Sequence, residues 1–432
     1  MSQGTQPRRA RGTKVTAGML AAALLALLAF APFASATPDP VASGSATVTF
    51  KNGFVKSLKK QKVRIAKIAP AKLKGKKATF PVTGGEMDPT NGQGTLTLGG
   101  GLQFKAGKKK VKVKALVVNT TKKGLFAKVG GKKVKFATLA GWSFARAGFG
   151  VSLTVKKLKL TNAAAKQLNK KLGFKKGKKP FKGNRLMAKA VASEEPATVT
   201  ITPGNNVDFN ADNELLKKLN DVEAKVATIA PTTEQGTGKF QMPITGGSIA
   251  PTAAAGVVQT GGGLLLSQKL PTGPTTAIET EITLGNFYVD LTAHTISVEV
   301  VAKSNAESEG KKPLDLGNLG RSSIADLTLT GATVSADATN RTVTVNNASA
   351  TLQPISAEVL EGFVKVYQGW YEGVFFATAC ATSPELPEHC KQPAEQEAAK
   401  AAAKEAAAKK VEKDHISAGN ALGTLSFTAQ TQ

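Results

Sequence analysis

The chain has 432 residues, with 58 Lys or Arg against 30 Asp or Glu, so its formal net charge at pH 7 is +28. This length is enough for two or three domains, each with its own core. The sequence contains no Gly-x-Ser-x-Gly, no His-Glu-x-x-His, no phosphate-binding loop and no Cys/His metal spacing. We therefore predict a binding protein without enzymatic activity and without a metal site.

The N-terminus has the pattern of an export signal. A basic stretch (residues 8–14) precedes an apolar stretch (19–33), and residues 34–36 read Ala-Ser-Ala, a small-x-small sequence that signal peptidase cleaves. The apolar stretch is short for a membrane span and contains Pro32 near its end. We predict a signal peptide over residues 1–36, no later transmembrane segment, and a secreted or envelope-associated protein.

The remaining chain contains an internal repeat. Residues 80–85 (Phe-Pro-Val-Thr-Gly-Gly) are matched by residues 242–247 (Met-Pro-Ile-Thr-Gly-Gly), and the Gly-Gly-Gly-Leu sequence at 99–102 recurs at the same offset at 261–264. A later match, between the Gly-Asn pairs that begin at Gly183 and Gly419, has a larger offset. The second copy is therefore longer than the first.

Apolar and polar residues alternate within both copies, which is typical of half-buried antiparallel strands. The alternation is clearest over residues 111–117 and 296–300, and we interpret the glycine pairs at 84–85, 130–131 and 246–247 as turns. Short strands at regular spacing are typical of sandwiches.

We therefore predict an all-β fold. It consists of two tandem antiparallel β-sandwich-like domains, over residues 43–193 and 196–429, each with one short helix. The helix of the first domain covers residues 163–172, and residues 359–375 place aromatic and aliphatic side chains at helical spacing in the second.

A helical insertion over residues 373–414 lengthens the second domain. It contains Cys380 and Cys390, which we expect to form a disulfide in an exported protein. It also contains consecutive Glu-Ala-Ala-Ala-Lys-like units, which are typical of an exposed, semi-rigid helical spacer.

The stretch from Thr83 to Phe104, with its Gly-Gly pair and its Gly-Gly-Gly-Leu-Gln-Phe end, resembles the Htaa domain of actinobacterial envelope proteins, as does the later Phe-Lys-Gly-Asn at 181–184. This resemblance implies a β-rich domain that binds haem at the cell surface through a tyrosine assisted by histidine. The tyrosine of the family lies in an early Ser-x-Arg-x-Tyr-like segment. The nearest stretch here, residues 56–61, reads Lys-Ser-Leu-Lys-Lys-Gln and has no tyrosine.

Haem iron needs an axial donor, and the first copy contains no Tyr, His or Cys. Haem is the only cofactor that the resemblance implies, and the second copy is the only place for it. The haem-binding candidates there are Tyr288, Tyr367, Tyr371 and His294. The aromatic helix that carries two of them either packs onto the sheet or borders a ligand pocket.

The positive charge lies in the first copy, with 37 Lys or Arg and 4 Asp or Glu between Val41 and Glu195, whereas Ile201 to Gln432 has 17 and 25. Such a surface either serves only solubility or binds polyanions with a steep salt dependence. The polyanion-binding candidates are Lys108, Lys109, Lys110, Lys175, Lys176, Lys178 and Lys179.

The partners expected outside the cell are an anionic cell-wall polymer, a membrane surface, or DNA bound without base recognition, because no nucleic-acid motif occurs. Two hypotheses follow. In the first, the protein binds haem, or takes it up, through the second domain. In the second, it has a structural or adhesive role in the envelope, where the first domain binds anionic cell-wall polymer.

Overall fold

The computed structural model describes residues 38–175, 179–252, 255–306, 316–381 and 393–432, without the side chains of 375–381 and 393–395. The predicted signal peptide lies outside these residues. So do Lys176, Lys178, Cys390 and the side chain of Cys380, so the predicted disulfide stays a prediction. From Pro38 to Gln432 the chain forms one compact unit with two separate hydrophobic cores, one for each sheet.

Ten strands and two helices form the first domain. The strands are β1 (Asp39–Phe50), β2 (Val63–Ile68), β3 (Lys72–Lys74), β4 (Lys77–Met87), β5 (Gly94–Ala106), β6 (Lys109–Asn119), β7 (Gly124–Val129), β8 (Lys132–Ala147), β9 (Gly150–Leu160) and β10 (Leu186–Pro196), and the helices are α1 (Asn52–Lys60) and α2 (Asn162–Leu172).

The first sheet closes on itself. Its antiparallel neighbours follow the order β1, β4, β5, β6, β7, β8, β9, β10, and β10 pairs with β1 again, while β2 adds to β5 and β3 to β4. Alternate side chains point inward: Val111 and Val113 are buried, whereas Lys110, Lys112 and Lys114 are exposed. Closure gives a continuous apolar interior and a polar outer face.

The described part of the second domain contains thirteen strands and three α-helices. The strands are β11 (Val199–Thr200), β12 (Asn206–Ala211), β13 (Ala224–Ile229), β14 (Thr233–Glu234), β15 (Lys239–Ile249), β16 (Gly256–Thr260), β17 (Gly263–Pro271), β18 (Ala277–Asp290), β19 (Thr295–Ser304), β20 (Gly317–Thr328), β21 (Thr333–Asp337), β22 (Thr342–Leu352) and β23 (Ala421–Gln430), and the helices are α3 (Asn213–Asp221), α4 (Pro354–Ala381) and α5 (Pro393–Val411).

The second sheet repeats the closure of the first, in the order β12, β15, β16, β18, β19, β20, β22, β23 and back to β12. The strand β13 adds to β17 as β2 adds to β5, and the Ala-Pro bonds that end at Pro70 and Pro231 are both cis. The predicted all-β fold with two tandem antiparallel domains is confirmed.

Two of the three glycine pairs are not turns, contrary to the interpretation of the sequence. Gly84-Gly85 and Gly246-Gly247 lie inside β4 and β15, where the strand pairing shifts register, and only Gly130-Gly131 forms a turn. At Gly85, with φ of +135°, a Cβ atom would clash with the carbonyl oxygen of Thr95. Glycine is required there because the strand bends to join two neighbours of the closed sheet.

Each domain also has an early helix that the sequence pattern did not predict, α1 in the first and α3 in the second. Only Phe54 and Leu58 of α1 are buried, and its lysines obscure the short apolar pattern. The predicted closing helices are present as α2 and α4, but α4 has 28 residues and is not short.

Candidate functional site

One end of the first domain brings three lysine-rich segments together. Lys109, beside the β5–β6 turn, packs against Gly173, where α2 ends, and Lys171 of α2 packs against Gly130 in the β7–β8 turn. We call this surface the basic rim. Its members are all exposed: Lys108, Lys109, Lys110, Lys132, Lys133, Lys170, Lys171, Lys175 and Lys179.

The helix α2 and the loop after it position the rim. The Thr161 hydroxyl caps the helix by accepting from Ala164 N at 3.1 Å, and the helix ends at Gly173 in a left-handed conformation. The buried Asn169 side chain donates to Phe181 O at 2.8 Å, which holds the far side of the loop against the domain. Gly173 and Phe181, which lie close to Lys175 and Lys179 in the chain, are therefore held in place.

The lysines continue from the rim onto the outer face of the sheet. Lys105 is directly opposite Lys110, and Lys128 lies between Lys114 and Lys133 in neighbouring strands. Like charges directly across a strand pair destabilise the sheet. An anionic partner would remove this repulsion, which makes the face suited to a polyanion.

The acidic residues of the first domain are at its other end. Asp39 and Glu86 lie at the beginning of β1 and the end of β4, with Asp88 just beyond, and Glu194 and Glu195 lie near the end of β10. All ion pairs found among the described residues lie in the second domain. The positive potential of the rim is therefore not neutralised by carboxylates of the described chain.

Of the seven predicted polyanion-binding lysines, the five that are described belong to the basic rim: Lys108, Lys109, Lys110, Lys175 and Lys179. The turn of Lys108 and the loop of Lys175 are far apart in sequence, and the structure brings them together through the contact of Lys109 with Gly173. The other four rim lysines, Lys132, Lys133, Lys170 and Lys171, are not among the candidates predicted from the sequence.

The four haem-binding candidates lie in different environments. Tyr367 is buried in the core of the second domain, its ring centroid 5.5 Å from that of Trp370 and 6.2 Å from that of Tyr371. Burial raises the pKa of Tyr367. A phenolate that could bind iron is therefore disfavoured at this position.

Tyr288 and His294 belong to the hairpin of β18 and β19. The guanidinium of Arg321 lies 3.2 Å from the ring centroid of Tyr288, and the same guanidinium forms an ion pair with Glu299 at 3.3 Å. His294 is exposed in the turn. The ring face of Tyr288 is thus covered by a cation, and the histidine lies at the surface.

An apolar cavity of about 100 Å³ lies inside the second domain, and none of the four candidates lines it. The donors present therefore do not fit an axially ligated haem in that space. Among the described residues, no group of three or more His, Cys, Asp or Glu could hold a metal ion. No helix of the described chain is long and apolar enough to cross a bilayer.

Two buried carboxylates, Asp39 and Glu194, lie where the domains meet, and the sequence pattern did not predict them. Asp39 Oδ1 accepts from Thr200 N and from Thr200 Oγ1, both at 3.1 Å, and Arg146 donates to the carbonyl oxygen of Gln432. Burial raises the pKa of Asp39 and raises that of Glu194 to about 7. Phe149, beside this pair, packs into the core of the second domain, so the junction joins both domains.

No family profile and no curated protein matches the chain. The chain is similar to the crystal structure of the C-terminal domain of HtaA from Corynebacterium glutamicum, with 13% identity, 36% of this chain and 98% of that chain covered, and a TM-score of 0.28. It is also similar to the crystal structure of the heme binding protein HtaB from the same organism, with 14% identity, 54% and 96% covered, and a TM-score of 0.30. At these values the likeness carries no functional argument.

Proposed function

We propose that this chain is an exported, non-enzymatic envelope protein that binds an anionic cell-wall polymer through the basic rim. The separation of charge within the first domain carries this proposal. The exposed lysines of the rim gather at one end and continue over the sheet face, and the acidic residues lie at the other end. A field of one sign over a whole end of a domain attracts polyanions and releases their counterions.

The rim is suited to binding a polymer of high negative charge density and not to recognising a sequence of bases. Its side chains are lysines, which act as flexible point charges without the planar geometry of arginine. The aromatic residues Phe50, Phe54 and Phe104 of this domain are buried, so they offer no stacking platform for bases. A repeating phosphate or carboxylate polymer fits this surface, and base-specific recognition of nucleic acid does not.

A titration with fluorescently labelled polyphosphate tests the proposal, with binding followed by anisotropy. In the rim variant five lysines become glutamine: Lys108, Lys109, Lys110, Lys175 and Lys179. A control variant with the same change in net charge replaces five exposed lysines of the second domain: Lys225, Lys239, Lys303, Lys365 and Lys404.

We expect the rim variant to bind about tenfold more weakly or worse, and the control variant to remain within about twofold of the unmodified chain. Equal losses in both variants would show that only net charge matters and would contradict a site at the rim. Sedimentation with anionic vesicles and with purified cell wall then separates the partners. Binding to vesicles alone would assign the rim to a membrane surface.

Haem binding through the second domain is the other proposal, and it rests on the resemblance of residues 83–104 to the Htaa domain. It would require Tyr288, Tyr367, Tyr371 or His294 as the axial donor. Because none of these side chains lines the cavity, we propose haem only as the alternative. A stoichiometric Soret shift that is lost in a tyrosine variant would establish it.

A further inference from the structure

The cavity of the second domain is lined in part by residues that are smaller than their counterparts in the first domain. In the first domain the rings of Phe50, Phe54, Phe104 and Phe181 fill the space beneath α1, with neighbouring ring centroids 5.4 to 6.4 Å apart. All four rings are almost fully buried. This part of the first domain is packed with aromatic rings.

The corresponding positions of the second domain follow from the helix starts and the strand pairing. Ala211 and Leu215 lie two residues before and two residues after the first residue of α3. Phe50 and Phe54 have the same positions relative to the first residue of α1. Leu266 in β17 is opposite Val226 in β13, as Phe104 in β5 is opposite Ile65 in β2. Ala211, Leu215 and Leu266 all line the cavity. Three positions that hold phenylalanine in the first domain thus line the cavity in the second domain.

The lining of this cavity is almost wholly apolar. Among the described residues that line it, Ser322 and Ser356 are the only ones with a polar side chain, and the Ser356 hydroxyl already donates to the carbonyl oxygen of Gln353 at 3.0 Å and to that of Ile324. In the part of the chain that the structure describes, no charged side chain lines the cavity. A second apolar void of about 40 Å³ adjoins the cavity, and Phe209 and Leu284 are among the residues that line both.

The cavity is bordered by side chains that are apolar and exposed. Leu319 of β20 is 40% exposed and Ile355 at the start of α4 is 56% exposed, and both line the cavity. Large apolar side chains that are exposed around a concave apolar site indicate a ligand entrance. The entrance, the main cavity and the inner void are consistent with an elongated apolar ligand.

We propose that this cavity binds one unbranched hydrocarbon chain, such as the alkyl chain of a fatty acid or lipid, with its polar head in solvent beyond Leu319 and Ile355. Apolar cavities of comparable size stay dry and take up small apolar ligands. A flat, charged or metal-ligated group would find no donor in the walls. The proposal concerns a different domain from the basic rim and does not depend on polyanion binding.

Displacement of the fluorescent probe N-phenyl-naphthylamine by hexanol, octanol and decanol, measured on the whole purified chain, tests this proposal. We expect one probe per chain, and an affinity that rises roughly fourfold for each added methylene until the cavity is full. Ala211→Phe and Leu266→Phe place into the cavity the phenylalanine rings that the first domain has at these positions. Each should abolish binding because it fills the cavity. Leu319→Glu at the entrance should weaken it more than tenfold.

Leu316→Glu is the matched control, because Leu316 is 42% exposed, lies three residues from Leu319 and does not line the cavity. It should leave binding unchanged. No saturable displacement, or equal losses in Leu316→Glu and Leu319→Glu, would overturn the proposal even if a filled variant fails to fold. Decanoate and a decanoyl phospholipid, used as competitors, then distinguish a free fatty acid from a membrane lipid as the source of the chain.

Discussion

The buried carboxyl of Glu194 should make the stability of the protein depend on pH. Its side chain is only 4% exposed, lies near Asp39 and Arg146 at the domain junction, and has one oxygen, Oε2, without a hydrogen-bond partner among the described residues. Burial raises the pKa of Glu194 from 4.5 to about 7, and Asp39 and Glu195 add to the rise, while a hydrogen bond from Val151 N and the charge of Arg146 oppose it.

The sign of the effect follows from proton linkage. Because the folded state holds the proton up to about pH 7 and the unfolded state releases it near pH 4.5, this carboxyl stabilises the fold most at low pH. Its contribution is lost as the pH rises from about 4.5 through about 7. The full pKa change corresponds to roughly 3 kcal/mol, and partial access of solvent to the junction reduces this to about 1 to 2 kcal/mol.

Urea unfolding of the unmodified chain and of Glu194→Gln, at pH 5 and at pH 8, measures the effect. We expect the variant to have the higher free energy of unfolding at pH 8. The difference between the variant and the unmodified chain should be about 1 to 2 kcal/mol larger at pH 8 than at pH 5. Glu281→Gln is the control, because Glu281 is an exposed carboxylate of β18 and is not among the groups that shift the pKa of Glu194. An unchanged stability difference between the two pH values would refute a buried, protonated Glu194.

Three further outcomes follow from the second domain. Asp212→Ala should lower the free energy of unfolding by about 1 kcal/mol in urea titration, because Asp212 Oδ1 caps α3 by accepting from Glu214 N and Leu215 N at 3.0 Å. Gln268→Leu should lower it by about 1 to 3 kcal/mol, because Gln268 Nε2 donates to the buried carbonyl oxygens of Val222 and Phe363. Tyr367→Phe should leave the absorbance spectrum of the chain mixed with haem unchanged, because Tyr367 is a core residue, and a changed Soret band in that variant would identify Tyr367 as an axial donor instead.

Local patterns in the sequence were sufficient to predict the strands, the duplication and the lysine face. The alternation over residues 111–117 predicts which side of β6 faces solvent, and the repeated Pro-x-Thr-Gly-Gly sequence reveals the second domain. Each of these depends on neighbouring residues or on direct comparison of two segments.

The features that the sequence did not predict depend on long-range pairing. The Gly84-Gly85 pair by itself indicates a turn. Only the strand pairing of the closed sheet shows that Gly85 lies in a strand that bends there. The burial of Glu194 is not visible in the sequence, because Asp39, Arg146 and Val151, which act on its carboxyl, are all more than 40 residues away in the chain. Ala211 lines the cavity at the position where the first domain has Phe50. The sequence alone does not show which side chains share that space.

The salt dependence of polyphosphate binding is the most direct test of whether the chain binds polyanions through the basic rim. The logarithm of the association constant, plotted against the logarithm of salt concentration, should fall with a slope of roughly −0.7 for each phosphate that a rim lysine neutralises. We expect a steep slope for the unmodified chain and for the second-domain control, and a clearly shallower slope for the rim variant. Equal slopes in all three proteins, or an affinity that does not change with salt, would contradict binding through the basic rim.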